Sequence, residues 1–127
     1  MPKKKKQRLK GSRGGSRPKA KGSAYEYAVV KKFRALGIEC GTTRGNSKSQ
    51  DAMGIDIHFP HKLPLNIQCK WFASYKNPIP YIEVMPDDEK YNVVFEKINH
   101  KGGWVTLKED DFMEIVALLI KEKLWKE

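Results

Sequence analysis

The chain has 127 residues, enough for one domain with one core, and 25 Lys and Arg against 15 Asp and Glu give it a net charge of +10. Two cysteines and three scattered histidines exclude a disulfide framework and argue against structural zinc. No apolar run approaches the roughly 20 residues of a membrane helix, and none follows the basic N-terminus as in a secretory signal. We expect a soluble cytoplasmic protein with reduced thiols and no membrane partner.

The positive charge is concentrated at the N-terminus. Ten basic residues and no acid lie within residues 1–22, which leaves equal numbers of both signs in the remainder. Residues 1–21 are too polar to form a core, so we predict a disordered basic tail before one domain at residues 22–127. Such a tail binds nucleic acid through its phosphates, although a solubilising or ribosome-associated tail is an alternative. The tail residues predicted to contact DNA are Lys3, Lys4, Lys5, Lys6, Arg8, Arg13 and Arg17.

The first predicted element is a helix from Ser23 to about Leu36. Ser23 and Glu26 fit the S-x-x-E capping box, and Gly37 is a typical stop signal. A short strand should follow at residues 38–43, and the polar residues 44–51 read as a loop. The predicted apolar stripe of the helix consists of Tyr25, Val29, Phe33 and Leu36.

Residues 54–71 are predicted to form a β-hairpin. Apolar and polar residues alternate in both arms, and the intervening residues 60–64 contain two prolines, which suit a turn. If the arms pair, Asp56 lies near Gln68 and Lys70 on the polar face. A carboxylate and an amide oxygen are ligands for a hard divalent cation, and a nearby lysine can hold a phosphate. The alternative is an ordinary amphipathic hairpin with a solvated polar face.

The C-terminal half should contain a short helix at residues 82–89, a central strand at 91–98, a turn at 99–103 and a returning strand at 104–107. A helix from Glu109 to about Lys123 should then pack on the core. Its predicted apolar stripe is Phe112, Ile115, Val116, Leu119 and Ile120. Leu118 and Trp125 could add a flank for a partner subunit. Tyr75, Lys76 and Tyr81 form an aromatic and basic mix suited to nucleic acid, or instead pack on Trp71 and Phe72.

Asp56 and the Gln68-Cys69-Lys70 run resemble the PD-(D/E)xK nuclease superfamily, with Gln in place of the usual second acid. The run from Lys21 to Glu26 is similar to the K-G-x-x-x-E pattern that opens the archaeal Holliday junction resolvases and related phage enzymes. Arg44 and Ser47 match the position of an arginine- and serine-containing loop in that family. The elements expected along the chain, in the order α-β-β-β-α-β-β-α, agree with the superfamily's fold.

The resemblance implies a central mixed β-sheet of about five strands, flanked by helices as in restriction endonucleases. It implies that Asp56, Gln68, Glu26 and the backbone carbonyl of Cys69 hold Mg²⁺, with Mn²⁺ as a substitute and no small-molecule cofactor. Lys70 would orient the attacking water or stabilise the phosphorane, and Arg44 and Ser47 would hold the strand being cut. Lys48 and Lys76 are further DNA-binding candidates, although Lys48 also fits a solvated loop.

The implied substrate is branched DNA, a four-way junction cut by a symmetric homodimer during DNA recombination and repair. The setting would be the cytoplasm of a prokaryote or a phage-infected host cell. One alternative is a general phage-type endonuclease or nickase acting on flaps, nicks or duplex DNA. Others are a non-catalytic DNA-binding protein on the same fold and a basic ribosome-associated or structural protein.

Overall fold

A computed structural model describes residues 21–61 and 63–124. The basic tail residues predicted to contact DNA, and Trp125, lie outside the described residues. The elements, in chain order, are α1 (21–35), β1 (Gly41–Thr42), α2 (Thr43–Asn46), α3 (Lys48–Ala52), β2 (Ile57–His58), β3 (Leu65–Phe72), α4 (Ile79–Glu83), β4 (Tyr91–Ile98), β5 (Gly102–Thr106) and α5 (Glu109–Lys121). The predicted order is preserved, with two short helices inserted after β1.

The strands form two separate sheets, so the predicted central sheet of about five strands is wrong. In the three-stranded sheet β4 lies centrally, parallel to β3 and antiparallel to β5. The other sheet pairs β1 with β2 in antiparallel orientation. The fold is therefore mixed α/β, as expected, with a smaller sheet than expected.

The predicted hairpin over residues 54–71 does not form a ladder. The backbone N–H of Asp56 donates to the carbonyl of Ile67 at 2.7 Å, which brings the two segments together. The next donor, the N–H of Cys69, binds the side chain of Asp56 at 2.7 Å instead of a strand carbonyl. Because a carboxylate takes the place of a backbone acceptor, the ladder stops there and β2 pairs with β1.

Helix α1 ends as predicted but does not begin as predicted. The chain is already helical at residue 21, so Ser23 lies within the helix and cannot act as its N-cap. At the other end, Gly37 has a φ of 86° and its N–H donates to Arg34, which closes the helix in the left-handed conformation that glycine favours. Leu36 lies past the last helical turn and is 76% exposed, so it does not extend the apolar stripe.

Three boundaries differ from the prediction. The strand expected at residues 38–43 is reduced to Gly41–Thr42, and the predicted loop at 44–51 folds into α2 and α3. Ser47 separates these two helices, and its hydroxyl accepts the N–H of Gln50 as the cap of α3. Helix α4 spans Ile79–Glu83 instead of 82–89, because Pro78 and Pro80 stand at its start, where proline is tolerated. The polar residues 44–51, expected to form an open loop, therefore lie mostly in two short helices.

The three-stranded sheet is covered on both faces near β3. One face packs against α1, and its buried cluster contains Tyr25, Val29, Val30, Cys40, Ile57, Ile67 and Cys69. The opposite face packs against α4 and the residues after it, and its cluster contains Ile55, Ile82, Met85 and Val94. The polar residues of β3, which the alternative of an ordinary amphipathic hairpin would leave in solvent, are consequently enclosed as well, and both Asn66 and Gln68 are buried.

The C-terminal strands follow the prediction, whereas the last helix does not. Strand β4 has the predicted bounds and central position. Strand β5 spans Gly102–Thr106 instead of 104–107, and its first residue, Gly102, has a φ of 91°. The predicted core packing of the α5 stripe is wrong for Phe112, Leu119 and Ile120, which are 52%, 39% and 60% exposed. A three-stranded sheet is too narrow to cover the helix, and a cleft of about 260 Å³ remains between them.

Within residues 21–61 and 63–124, no helix combines the length and the apolar character needed to cross a membrane.

Candidate functional site

Asp56 is fixed at the free edge of β3. Its backbone N–H donates to Ile67 at 2.7 Å, and its Oδ2 accepts the N–H of Cys69 at 2.7 Å. Its chain neighbours Ile55 and Ile57 are 2% and 1% exposed, so both flanks of the acid are anchored in the core. Burial raises the pKa of Asp56, and the Cys69 hydrogen bond and the charge of Lys70 oppose this shift. The carboxylate therefore has a defined position and an adverse environment for its charge.

Glu26 supplies a second buried carboxylate from α1. It is 4% exposed, and its Oε1 accepts from Nη2 of Arg44 at 3.3 Å. The same guanidinium donates through Nη1 to the hydroxyl of Ser23 at 2.8 Å, so both polar residues of the expected capping box bind Arg44. Burial, followed by the charge of Asp56, raises the pKa of Glu26 to about 7, although Arg44 lowers it. The two carboxylates thus repel each other at a site where water screens poorly, and a bound cation would relieve that repulsion.

Thr43 is a positioning residue that the sequence pattern did not single out. It is fully buried, its hydroxyl donates to the carbonyl of Ile55 at 2.7 Å, and its N–H donates to the carbonyl of Asp56 at 3.0 Å. The hydroxyl also lies 3.4 Å from Oδ1 of Asp51. Asp51 in turn raises the pKa of both Glu26 and Asp56, so a third carboxylate acts on the site. A buried threonine at the start of a short helix has no periodic signal that would identify it.

Gln68 and Lys70 alternate with Ile67 and Cys69, so they lie on the face of β3 away from α1. Gln68 is 6% exposed, and its Oε1 is buried without a hydrogen-bond partner among the described residues. The Nζ of Lys70 lies 4.8 Å from the centroid of the Tyr81 ring. Gln68 makes no hydrogen bond to Asp56 in this part of the chain, and instead its amide nitrogen is close to the backbone of Gly54.

Three of the four predicted catalytic residues, Asp56, Glu26 and Lys70, act on the edge of β3. Glu26 approaches from the α1 face and Lys70 from the opposite face, and both change the pKa of residues at this edge: Glu26 that of Cys69, and Lys70 that of Asp56. Asp56 lies between them because its side chain reaches the β3 backbone at Cys69. Gln68 is the residue whose side chain is least connected to this group.

Comparison of the chain with protein-family models, curated proteins and solved structures gives no match. The residues of the site themselves must therefore support any functional assignment.

Of the predicted DNA-contacting residues within the described ranges, Arg44, Lys48 and Lys76 are exposed and Ser47 is half-buried. Arg44 and Lys48 lie on α2 and α3; Arg44 is half exposed while bound to Glu26, and Lys48 is exposed. Ser47 lies between them, and its hydroxyl caps α3. Lys76 is exposed, with its Nζ 5.0 Å from the centroid of the Phe72 ring.

The two tyrosines of the predicted aromatic and basic mix differ. Tyr81 stacks on Phe72 at 5.8 Å between ring centroids, so it belongs to the packed interior of the fold. Tyr75 is 68% exposed and so remains accessible for a ligand.

The donor set of the site suits a hard cation. The described residues contain no group of three or more His, Cys, Asp or Glu side chains that could hold a metal ion, and the set consists of two carboxylates and one amide. Oxygen donors of this kind are the ones that Mg²⁺ prefers. The buried, unpartnered Oε1 of Gln68 is an acceptor that such an ion would satisfy. Burial raises the pKa of the Cys69 thiol, so it stays protonated and offers no soft thiolate ligand.

Proposed function

We propose that this chain is a Mg²⁺-dependent, structure-selective DNA endonuclease that hydrolyses phosphodiester bonds, with the four-way junction as its preferred substrate. The observation that carries the proposal is the position of Asp56. Its carboxylate is bound to Cys69 at the edge of β3, beside the buried acid Glu26 and the ammonium group of Lys70. Two carboxylates that would hold a metal, beside a lysine that would meet a phosphate, suit metal-assisted phosphate hydrolysis.

In this mechanism Asp56, Glu26 and Gln68 would hold the metal, with the carbonyl of Cys69 as a further oxygen donor. When bound, Mg²⁺ supplies Lewis acidity that activates water and neutralises charge on the phosphate. Lys70 orients the water or stabilises the negative charge that develops on the phosphoryl oxygens.

Arg44 is half exposed while it binds Ser23 and Glu26, so its remaining N–H groups can donate to a phosphate of the strand being cut. Lys48 and Lys76 add sequence-independent contacts to the backbone. The basic tail would add affinity of the same kind.

Resolution of a four-way junction requires two symmetrically placed cuts, and a two-fold homodimer provides two active sites at a fixed spacing. The exposed apolar side chains of α5 support this arrangement. Phe112, Leu119 and Ile120 of the apolar stripe are 52%, 39% and 60% exposed, and Leu118 beside the stripe is 47% exposed. A second copy of the chain covering this face would bury them.

A second candidate is a DNA-binding protein without catalytic activity on the same fold, and two observations favour it. The site has two carboxylates and an amide, one negative charge fewer than a third acid would give. The Arg44 guanidinium also already neutralises part of the Glu26 charge. Both features lower the affinity for a divalent cation.

Cleavage of a synthetic four-way junction, compared with a linear duplex of the same sequence, separates these functions. The proposal predicts paired, symmetric nicks in the junction with Mg²⁺ and none with EDTA, from a protein whose mass by light scattering is twice 14.6 kDa. Equal cutting of the duplex would indicate a general endonuclease or nickase. Tight junction binding without any cut, in Mg²⁺ and in Mn²⁺, would indicate the non-catalytic protein and contradict the proposal.

A further inference from the structure

A pocket of about 460 Å³ lies on the face of the three-stranded sheet that carries Gln68 and Lys70. Its volume falls in the range of small-molecule sites. Its rim is exposed and apolar, since Tyr75, Ile79 and Trp104 are 68%, 49% and 50% exposed. Large exposed side chains around a cavity offer planar apolar surface to a ligand.

Glu96 lies in the lining of this pocket, and nothing in the fold accounts for its charge. It is 3% exposed, and its Oε2 is buried with no hydrogen-bond partner among the described residues. Neither of the ion pairs within the described ranges includes it. A buried carboxyl group with an unfilled acceptor costs stability, so a donor supplied by a ligand would offset that cost.

The pocket is next to the candidate active site. Glu96 on β4 is the register partner of Lys70 on β3 and of Trp104 on β5, and register partners point to the same face of a sheet. Lys70 nevertheless directs its ammonium to the Tyr81 ring instead of Glu96. Lys101 also lines the pocket and brings a cation to its edge.

We propose that this pocket accepts an unstacked guanine base of the nucleic acid that the active site cuts. The proposal rests on the proposed function for the source of the base. Tyr75 and Trp104 supply the aromatic surface on which a base packs, and Lys101 supplies a partner for its phosphate. Glu96 supplies the acceptor for the Watson–Crick edge of the base.

Guanine is favoured among the bases because of its donor pattern. Its N1–H and N2–H groups are adjacent donors, so one carboxylate can accept from both. Adenine and cytosine place an acceptor nitrogen beside their amino group, which repels the second carboxylate oxygen. Since hydrogen bonds to a charged group are stronger than neutral ones, the carboxylate discriminates between these edges.

The test is binding of nucleoside monophosphates to the full chain, followed by NMR with Trp104 as the reporter. Guanosine monophosphate should shift the Trp104 indole signal and bind at least about tenfold more tightly than inosine monophosphate, which lacks only the N2 amino group. Adenosine monophosphate should be weaker still. Equal affinity for all three nucleotides, or shifts that avoid Trp104, would overturn the proposal.

Two variants complete the test. Glu96→Gln removes the charge at nearly constant volume and should abolish the preference for guanosine over inosine monophosphate. Trp104→Ala should weaken binding of both, whereas Val105→Ala, an equally exposed neighbour on the other face of β5, should leave binding unchanged. Retained discrimination in Glu96→Gln would contradict the assignment of the carboxylate.

The proposed guanine pocket and the proposed nuclease function can be refuted independently of each other. Guanosine binding at Glu96 without any junction cleavage would remove the nuclease function and keep the pocket. Cleavage that is indifferent to a guanine-to-hypoxanthine exchange near the cut, together with no nucleotide binding, would remove the pocket and keep the nuclease. Binding of guanosine monophosphate but of no guanine-containing oligonucleotide would show a free-nucleotide site and contradict the proposed source.

Discussion

Two acids, the half-buried Asp56 at the edge of β3 and the buried Glu96 on β4, differ in what surrounds them. Asp56 accepts the N–H of Cys69 and lies within the field of Lys70, so protein groups fix its position. Glu96 faces Lys70 in the strand register, yet its Oε2 has no partner within the described residues. The difference indicates that the fold builds one carboxylate into a rigid site and leaves the other to be satisfied from outside.

Among the residues around Asp56, the largest expected effect concerns Lys70, which lies between these two acids. Lys70→Ala should lower junction cleavage by about 10² to 10³-fold, because the ammonium group stabilises charge at the reacting phosphate. Junction binding should change little, since the basic contacts elsewhere remain. The rate under single-turnover conditions with Mg²⁺ measures this.

Lys97 provides the matched control for that variant. It also lies on the three-stranded sheet with its Nζ over an aromatic ring, 4.2 Å from the Trp71 centroid. Lys97→Ala therefore removes a comparable cation–π contact from the face away from Glu96. Equal loss of cleavage in both variants would show that Lys70 has no special role beside Asp56.

The next prediction concerns Gly54, which lies two residues before Asp56 and close to the side chain of Gln68. Gly54 has a φ of 78°, and an added Cβ would lie 3.0 Å from Nε2 of Gln68. Gly54→Ala should thus lower the free energy of unfolding by about 2 to 3 kcal/mol, through backbone strain and displacement of Gln68. Urea denaturation measures this loss.

Gly37→Ala separates strain from crowding, because its φ is 86° and no atom lies within 4 Å of the added Cβ. We expect about 1 kcal/mol for this variant. If both glycine variants lose the same stability, Gln68 is not tightly held.

The pH dependence of stability tests the repulsion between Glu26 and Asp56. The folded pKa of Glu26 is raised from 4.5 to about 7, so the folded protein binds more protons than the unfolded chain between these values. Without metal, the free energy of unfolding should therefore fall as pH rises from 4.5 to 7, by on the order of 2 kcal/mol from this group. Glu26→Gln keeps an oxygen for Arg44 and should flatten this part of the profile; an unchanged slope would place the raised pKa elsewhere.

The smallest expected effect is a gain in the free energy of unfolding, and it concerns Glu96. Glu96→Gln removes an unpartnered buried carboxyl group, so it should raise the free energy of unfolding by about 1 kcal/mol. Glu83→Gln, at an exposed position, is the control and should be neutral within about 0.5 kcal/mol. A clear loss of stability in Glu96→Gln would mean that the fold itself satisfies this carboxyl group.

The parts of the fold that local pattern determines could be predicted from the sequence. The apolar run from Tyr91 to Ile98 predicted a central strand with the observed bounds, and a returning strand was predicted after it, although β5 already begins at Gly102, a residue assigned to the turn. An amphipathic stripe, however, shows which side of a helix is apolar and not whether anything covers it, which is why the exposure of Phe112 on α5 was missed.

The motif spacing of the candidate site residues could be predicted from the sequence, but the contacts around those residues could not. Asp56 and Lys70 were identified from the motif, but periodicity cannot show that the N–H of Cys69 would choose a side chain over a strand carbonyl. That hydrogen bond fixes the position of the Asp56 carboxylate. It also ends the strand pairing that would have joined the two sheets into the expected five-stranded sheet. Glu96 was missed because it belongs to no motif, and its burial depends on the cover supplied by residues distant in sequence.

Cleavage of the four-way junction by Asp56→Asn, measured beside the wild-type protein in Mg²⁺, tests the central claim most directly. The amide oxygen of Asn can still accept the N–H of Cys69, so folding and junction binding should persist. The account predicts cutting by the wild-type protein and a loss of at least about 10³-fold in the variant, because the carboxylate that holds the metal is gone. Cleavage by Asp56→Asn at the wild-type rate would contradict it.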